Sequence, residues 1–217
     1  MRSQRVLTLV EIALTIALSA VLSVLAVRMP WNVAGGTVSF AMLPILVLSL
    51  RRGVIPGVIA GLGFGIIDYM IEPYFLAYAQ VFLDYGVAFA AVGVAGLGAP
   101  TYRWALKSSS KQAFADSLSW IPIPGVARLG GMWLTLVVSI PWILVGGAGR
   151  FAAAWLSGVV FFGANAPAGQ PVWIYSAIYN LSYIVPSIVL CVVGASLVLP
   201  ALELAVPTLG RSVAQQS

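Results

Sequence analysis

Two stretches decide how this chain folds: VFLDYGVAFAAVGVAGLGAP at residues 81–100 and LVVSIPWILVGGAGRFAAAWLSGVVFF at residues 136–162. Each matches the run of about 20 apolar residues that a helix needs to cross a bilayer. Each also holds one embedded charge, Asp84 in the first and Arg150 in the second. An ionisable side chain at membrane depth costs about 2.5–3.5 kcal/mol on insertion scales, so it persists where it faces a protein interior, a wet cavity or a ligand. Two such charges of opposite sign predict a polar site enclosed by helices.

Outward from these stretches the pattern repeats. Apolar segments fall at about 7–27, 38–50, 54–71, 75–100, 129–163 and 172–200. With 61% hydrophobic and 8% charged residues and a mean hydropathy of +1.02, the 217-residue chain reads as an integral membrane protein. Recurring unbroken apolar runs favour helices over a barrel, whose strands would alternate. The expected fold is an all-α membrane protein of six transmembrane helices, one domain over 1–217. The second segment is short for a full span and is expected to tilt or to be partly re-entrant. The fifth contains Pro141, Gly146, Gly147 and Gly149, which predict a kink or a start outside the membrane. The opening MRSQRVLTLVEIALTIALSAVLSVLAV imitates a signal peptide. Its apolar part exceeds a usual h-region and Glu11 interrupts its start, so it is read as a retained first helix.

The charges orient the spans. Arg2 and Arg5 precede the first helix, Arg51 and Arg52 fill the turn after the second, and Arg103, Lys107, Lys111 and Arg128 fall in or beside a loop at about 101–128. Arg211 lies in the tail, while the alternate connections carry only Arg28, Glu72 and the uncharged NAPAGQP. The positive-inside rule puts that loop and both termini in the cytoplasm. The loop is read as a solvated linker, with a short amphipathic helix on the membrane as the alternative. This topology explains the net charge of +5 without a nucleic-acid partner, and it leaves Arg150 unexplained.

The composition also excludes chemistries. With no His, the chain has no His-based metal site, proton relay or Ser-His nucleophile. The single Cys191 lies in the run YIVPSIVLCVVGASLVL and is read as a packing residue. No GxxxxGK[ST] is present, so the chain does not hydrolyse ATP through a P-loop. A membrane enzyme built on Asp84 and Arg150 would need a nucleophile or metal site, and neither motif occurs. Asp68 and Asp84 lie on different predicted helices, and nothing in the sequence supports pairing them for acid/base work. No internal repeat of the transporter kind is visible.

Asp84 is the residue with most to say about a ligand. Gln80 lies four positions before it and shares its helical face. Asp84 reads either as a carboxylate that neutralises a ligand cation or as one half of an internal ion pair with Arg150. Ala154, Ser157, Gly158 and Phe161 continue the face of Arg150 at helical spacing, and the small ones permit close approach of a helix or ligand. Trp173, Tyr175, Tyr179, Asn180 and Tyr183 cluster near the outer end of the last helix. An aromatic belt accounts for the rings, whereas a buried Asn180 amide needs a partner. Ala13 and Ala17 form a small-xxx-small pair that permits close packing against another protein's helix.

The segments SFAMLPILVLSLRRGVIPGVIAGLGFGIID, YAQVFLDYGVAFAAVGVAGL, GRFAAAWLSGVVFFGANAPAGQPVWIYSAIYN and YIVP, spanning most of residues 38–186, together resemble the thiamine-specific substrate-binding subunits (S-components) of energy-coupling factor transporters. The resemblance implies six helices and a vitamin site near the extracellular side, partly covered by the loop after the first helix. It implies a subunit in a prokaryotic cell membrane that binds ligand and is no enzyme. It also implies that no cofactor is needed and that the subunit works with a transmembrane coupling subunit and two ATPases. Ala13 and Ala17 match the small-residue motif that docks on the coupling subunit. Asp84 matches the acidic ligand-binding residue, expected to face the aminopyrimidine and offset the thiazolium charge, and Tyr85 follows it as in the family. Arg150 matches a basic position, read as orienting or balancing that carboxylate, with a ligand contact as a second role. Phe162 stands where some relatives carry a stacking Trp. Phe64 matches another aromatic position, Tyr74 the mouth tyrosine, and Tyr175 and Asn180 the polar pair on the last helix. A flat cation suits such a site of aromatic faces and one carboxylate.

The chain departs from the family in three places. Ala154 stands where His is frequent, Phe162 lacks an indole N–H, and Gly35 and Gly36 replace a lid Trp, with Trp31 nearby. These departures leave a precursor such as hydroxymethylpyrimidine, or another vitamin, as the alternative ligand without touching the S-component reading; a stand-alone secondary transporter is a separate alternative, which repeats and paired broken helices would favour.

Overall fold

The computed structural model describes residues 2–28, 36–106 and 126–205. Its helices are α1 (Arg2–Val24), α2 (Met42–Arg52), α3 (Val54–Ile71), α4 (Tyr78–Ala105), α5 (Val126–Phe161) and α6 (Val172–Ala205). One departure from an all-α fold follows α1: β1 (Val27–Arg28) pairs antiparallel with β2 (Thr37–Val38). Trp31, Gly35, Lys107, Lys111, Arg211 and the part of the long loop expected as a linker or amphipathic helix lie outside the described residues. Helix α4 runs to Ala105 and α5 starts at Val126, so helical ends take up both margins of the loop expected at about 101–128.

Among the described residues, five helices are long and apolar enough to cross a membrane: α1, α3, α4, α5 and α6. The second apolar segment forms α2, whose 11 residues rise about 16 Å, half of a hydrocarbon core of about 30 Å. It is nonetheless the middle of the bundle. From Ala41 to Leu50 the segment is apolar nearly all round, the pattern of a helix buried on every side. Met42, Leu43, Ile45, Leu46, Val47, Leu48, Ser49 and Leu50 are all buried, and α2 packs on α1, α3, α4, α5 and α6. Its core partners include Phe64, Phe89, Val92, Ile143, Cys191 and Leu199. In a bilayer this core is held by close packing rather than by escape from water, because lipid tails are as apolar as leucine. At its end Gly53, with φ at +97°, donates its N–H to the Ser49 carbonyl at 2.7 Å, a conformation a side chain would strain.

Glu11, which looked like an interruption of the first helix, has a partner. Arg52 donates through Nε and Nη2 to both of its carboxylate oxygens, and each side chain is 18% exposed. The bidentate pair ties α1 to the end of α2.

Backbone closeness sets the rest. A Cβ on Gly61 would lie 2.1 Å from the Phe89 carbonyl oxygen, and one on Gly65 2.1 Å from that of Tyr85. The glycine spacing of α3 therefore lets the α4 backbone lie directly against it. The glycines of α5 act alike: they do not end the helix, which runs unbroken past Pro141 and Gly149, and Gly146 and Gly149 face the α4 backbone around Ala91 and Val92. At about 54 Å its 36 residues exceed any bilayer, so part of α5 stands outside.

Candidate functional site

The C-terminal ends of α3 and α5, the N-terminal ends of α4 and α6, and the β1–β2 hairpin meet at one end of the bundle. They enclose a chamber of about 500 Å³, within the usual range for small-ligand sites. This end is opposite Arg52 and the N-terminus. Residues of all these elements line it, among them Arg28, Thr37, Asp68, Tyr74, Gln80, Asp84, Phe89, Arg150, Phe162 and Tyr175.

The α4 wall is shaped by a local widening of the helix. Phe82–Val87 form a π-type turn, a feature that recurs at functional sites. Across it Gln80, Asp84, Tyr85, Ala88 and Phe89 all reach the chamber. Gln80, 1% exposed, donates from Nε2 to Asp84 Oδ2 at 2.6 Å and accepts from the Leu76 N–H at 3.1 Å, so the shared face read from their spacing is real. One carboxylate oxygen is thus held and oriented from within its own helix. Tyr85 donates its hydroxyl to the Glu72 carbonyl at 2.8 Å and sits edge-on to Tyr69.

Arg150 does not form the ion pair with Asp84 that was one reading of the two charges. The ion pairs of 4.0 Å or less among the described residues are Arg28–Glu72 and Arg52–Glu11. The Arg150 guanidinium lies 4.4 Å over the Phe89 ring, a cation–π contact, and its buried Nη1 has no hydrogen-bond partner among the described residues. Unsatisfied buried groups are rare in folded proteins and gather where something else completes them. Ser157 lies beside Asp84 on the facing helix.

Tyr74 stacks on Phe162 at 5.7 Å with 27° between planes, one aromatic wall of the mouth. Tyr175, Tyr179 and Tyr183 form a ladder down α6 with 6.1 Å between successive rings. Asn180 finds its partners inside the protein: Nδ2 donates to the Ser176 carbonyl at 2.9 Å and to the Ala154 carbonyl at 3.3 Å, and Oδ1 accepts from Tyr183 at 2.6 Å. Asn180 therefore lines the chamber while locking α5 to α6. Arg28 reaches Glu72 at 2.8 Å across the mouth. With side chains 70% and 50% exposed, this pair contributes little to stability.

Of the residues singled out from the sequence, Tyr74, Asp84, Tyr85, Arg150, Phe162, Tyr175 and Asn180 meet in this chamber. Phe64 does not line it. It is fully buried behind the wall, edge-on to Phe89 at 4.5 Å, because the α3–α4 contact at Gly61 and Gly65 carries it into the core. Asp68, Phe89, Tyr179 and Tyr183 were not assigned to the site from the sequence. Their signals were a third charge in an apolar run and tyrosines repeating every four residues on one helical face. Ala13 and Ala17 lie far from the chamber on the exposed side of α1.

Fold and site together define a multi-pass helical membrane protein with a ligand-sized polar chamber at one end. The chain belongs to the family described as thiamine transporter protein (Thia_YuaJ), which it matches over residues 9–206. It is 36% identical over 194 residues to the thiamine transporter ThiT of Bacillus subtilis (strain 168), covering 88% of this chain and 90% of that one. It is 30% identical over 166 residues to the thiamine transporter ThiT of Lacticaseibacillus paracasei, covering 74% and 72%. A solved structure of ThiT from Listeria monocytogenes shares the fold with a TM-score of 0.74 at 21% identity, over 91% of this chain and 96% of that one.

Proposed function

We propose that this chain binds thiamine in the chamber and serves as the substrate-specificity subunit of an energy-coupling factor importer in a prokaryotic plasma membrane. The observation that carries the reading is Asp84, a carboxylate anchored by Gln80 inside an aromatic-walled chamber in a chain whose relatives are named thiamine transporters. Asp84 faces the ligand cation and aminopyrimidine. Tyr74 and Phe162 supply the flat apolar faces, Tyr175 and Asn180 the polar edge, and Arg150 orients the anionic side. Tyr85 holds the α3–α4 turn through Glu72, and Phe64 supports Phe89 from behind. In this topology α2 counts as the sixth, short helix. Both termini and the loop between α4 and α5 are cytoplasmic, and the chamber faces outward.

Calorimetric titration of the purified protein with thiamine, without ATP or partner, is the test. The expected dissociation constant is in the nanomolar range, about −12 kcal/mol. Failure of thiamine, its phosphates and hydroxymethylpyrimidine alike to bind removes the reading.

ATP hydrolysis belongs to partner ATPases joined through a transmembrane coupling subunit. The exposed Ala13 and Ala17 share the outward side of α1 with Leu9, Val10, Leu14 and Leu18. They leave a shallow strip where a second helix approaches closely. Ala17→Leu is expected to abolish co-purification with a coupling module and leave the thiamine affinity of the isolated chain unchanged. Retained assembly would remove this face as the docking surface.

A further inference from the structure

We propose that Asp68 is a specificity-determining residue of the chamber, compensating Arg150 so that Asp84 stays free for a ligand cation and the chamber selects for a single positive charge. The inference rests on the thiamine-binding reading and adds to it the residue that sets the charge of the site.

Apart from Arg28 and Glu72 at the mouth, three charged side chains line the chamber, one from each of three helices: Asp68 from α3, Asp84 from α4 and Arg150 from α5. The Arg28–Glu72 pair is self-compensated at the mouth. Two carboxylates and one guanidinium leave a single net negative charge inside, which a monocation cancels. Without Asp68, Arg150 and Asp84 would already balance, and an entering cation would leave the chamber positive in a low-dielectric surround.

The contacts divide the charges in this way. Asp84 is engaged by Gln80 at 2.6 Å, with Ser157 beside it. Asp68 and Arg150 line the same chamber from α3 and α5, so Asp68 adds the second negative charge that offsets the guanidinium. Arg150 approaches neither carboxylate within 4.0 Å among the described ion pairs, so its compensation is through space. Among the described residues its Nη1 is unbonded, and its face lies on Phe89. A guanidinium bonded directly to Asp84 would compete with the ligand; one balanced by Asp68 does not.

The test compares thiamine with hydroxymethylpyrimidine, a neutral molecule sharing the pyrimidine, by calorimetry on the full chain and three variants. The ratio of the two affinities is the readout, because damage to the fold affects both ligands. Asp68→Asn is expected to lower the thiamine preference by about tenfold or more. Arg150→Gln, which leaves two carboxylates, is expected to raise it. The double variant, with Asp84 as the remaining charge, is expected to return it toward the original value, a coupling that independent sites do not show. Should Asp68→Asn fail to fold, Arg150→Gln alone carries the comparison, and a thiamine preference that does not rise in it overturns the proposal. An unchanged ratio in all variants, or equal losses for both ligands, overturns the proposal. If the unaltered chain binds no thiamine, the thiamine-binding reading falls and takes this one with it; if it binds but the ratios do not move, only the role of Asp68 falls.

Discussion

Asp84→Asn is expected to weaken thiamine binding by about 2–5 kcal/mol, the usual cost of removing one partner of a buried, hydrogen-bonded charge pair. The substitution is nearly isosteric. The Asn carbonyl can still accept from Gln80 Nε2, so the α4 wall and its π-type turn are kept while the charge is removed. The loss therefore reports on the ligand rather than on the fold. Calorimetric titration of the variant beside the parent chain reads it, with a melting curve to confirm that the protein is folded. Equal affinity for thiamine would make Asp84 a structural residue, held by Gln80 for the sake of α4 alone.

The second large effect is expected from Gly65→Val, far less conservative than it looks on paper. The new Cβ would lie 2.1 Å from the Tyr85 carbonyl oxygen and 2.7 Å from its carbon, both backbone atoms of the facing helix. A flexible side chain could turn aside; a helix backbone cannot. Overpacking of a core costs about 1–3 kcal/mol where neighbours can adjust, and more is expected here because two helices must separate. The displaced residue is next to Asp84, so thiamine binding is expected to fall together with the melting temperature. Gly86→Ala is the control: its methyl meets the Phe82 ring at 3.4 Å, an ordinary contact, and both properties are expected to survive. A Gly65→Val protein with parental melting and binding would show that α3 and α4 are not packed backbone to backbone.

Features governed by solvent or by local geometry could be read directly from the chain. The bilayer demands long apolar runs, and the five that form α1, α3, α4, α5 and α6 stood out on that ground. The i,i+4 relation of Gln80 and Asp84 is a property of one helix and needed no neighbour. The short second segment was recognised as unusual, but hydropathy does not distinguish a tilted span from a helix buried among others. Its place in the centre depends on five partners. The same limit applies to Phe64, whose aromatic character is local but whose burial depends on where Gly61 and Gly65 let α4 settle.

Solvent, helices and the identity of the buried charges are written in the residues alone, because the cost of a charge in hydrocarbon is felt wherever the rest of the chain goes. The residues also carry the family, through motifs that run across most of the chain. Which charges meet depends on how the helices pack. Arg150 lies against Phe89 rather than paired with Asp84, and Glu11 closes on Arg52, because such partners come from different helices. The distances between them are set by close packing along α3, α4 and α5, where glycines determine how near two backbones can come.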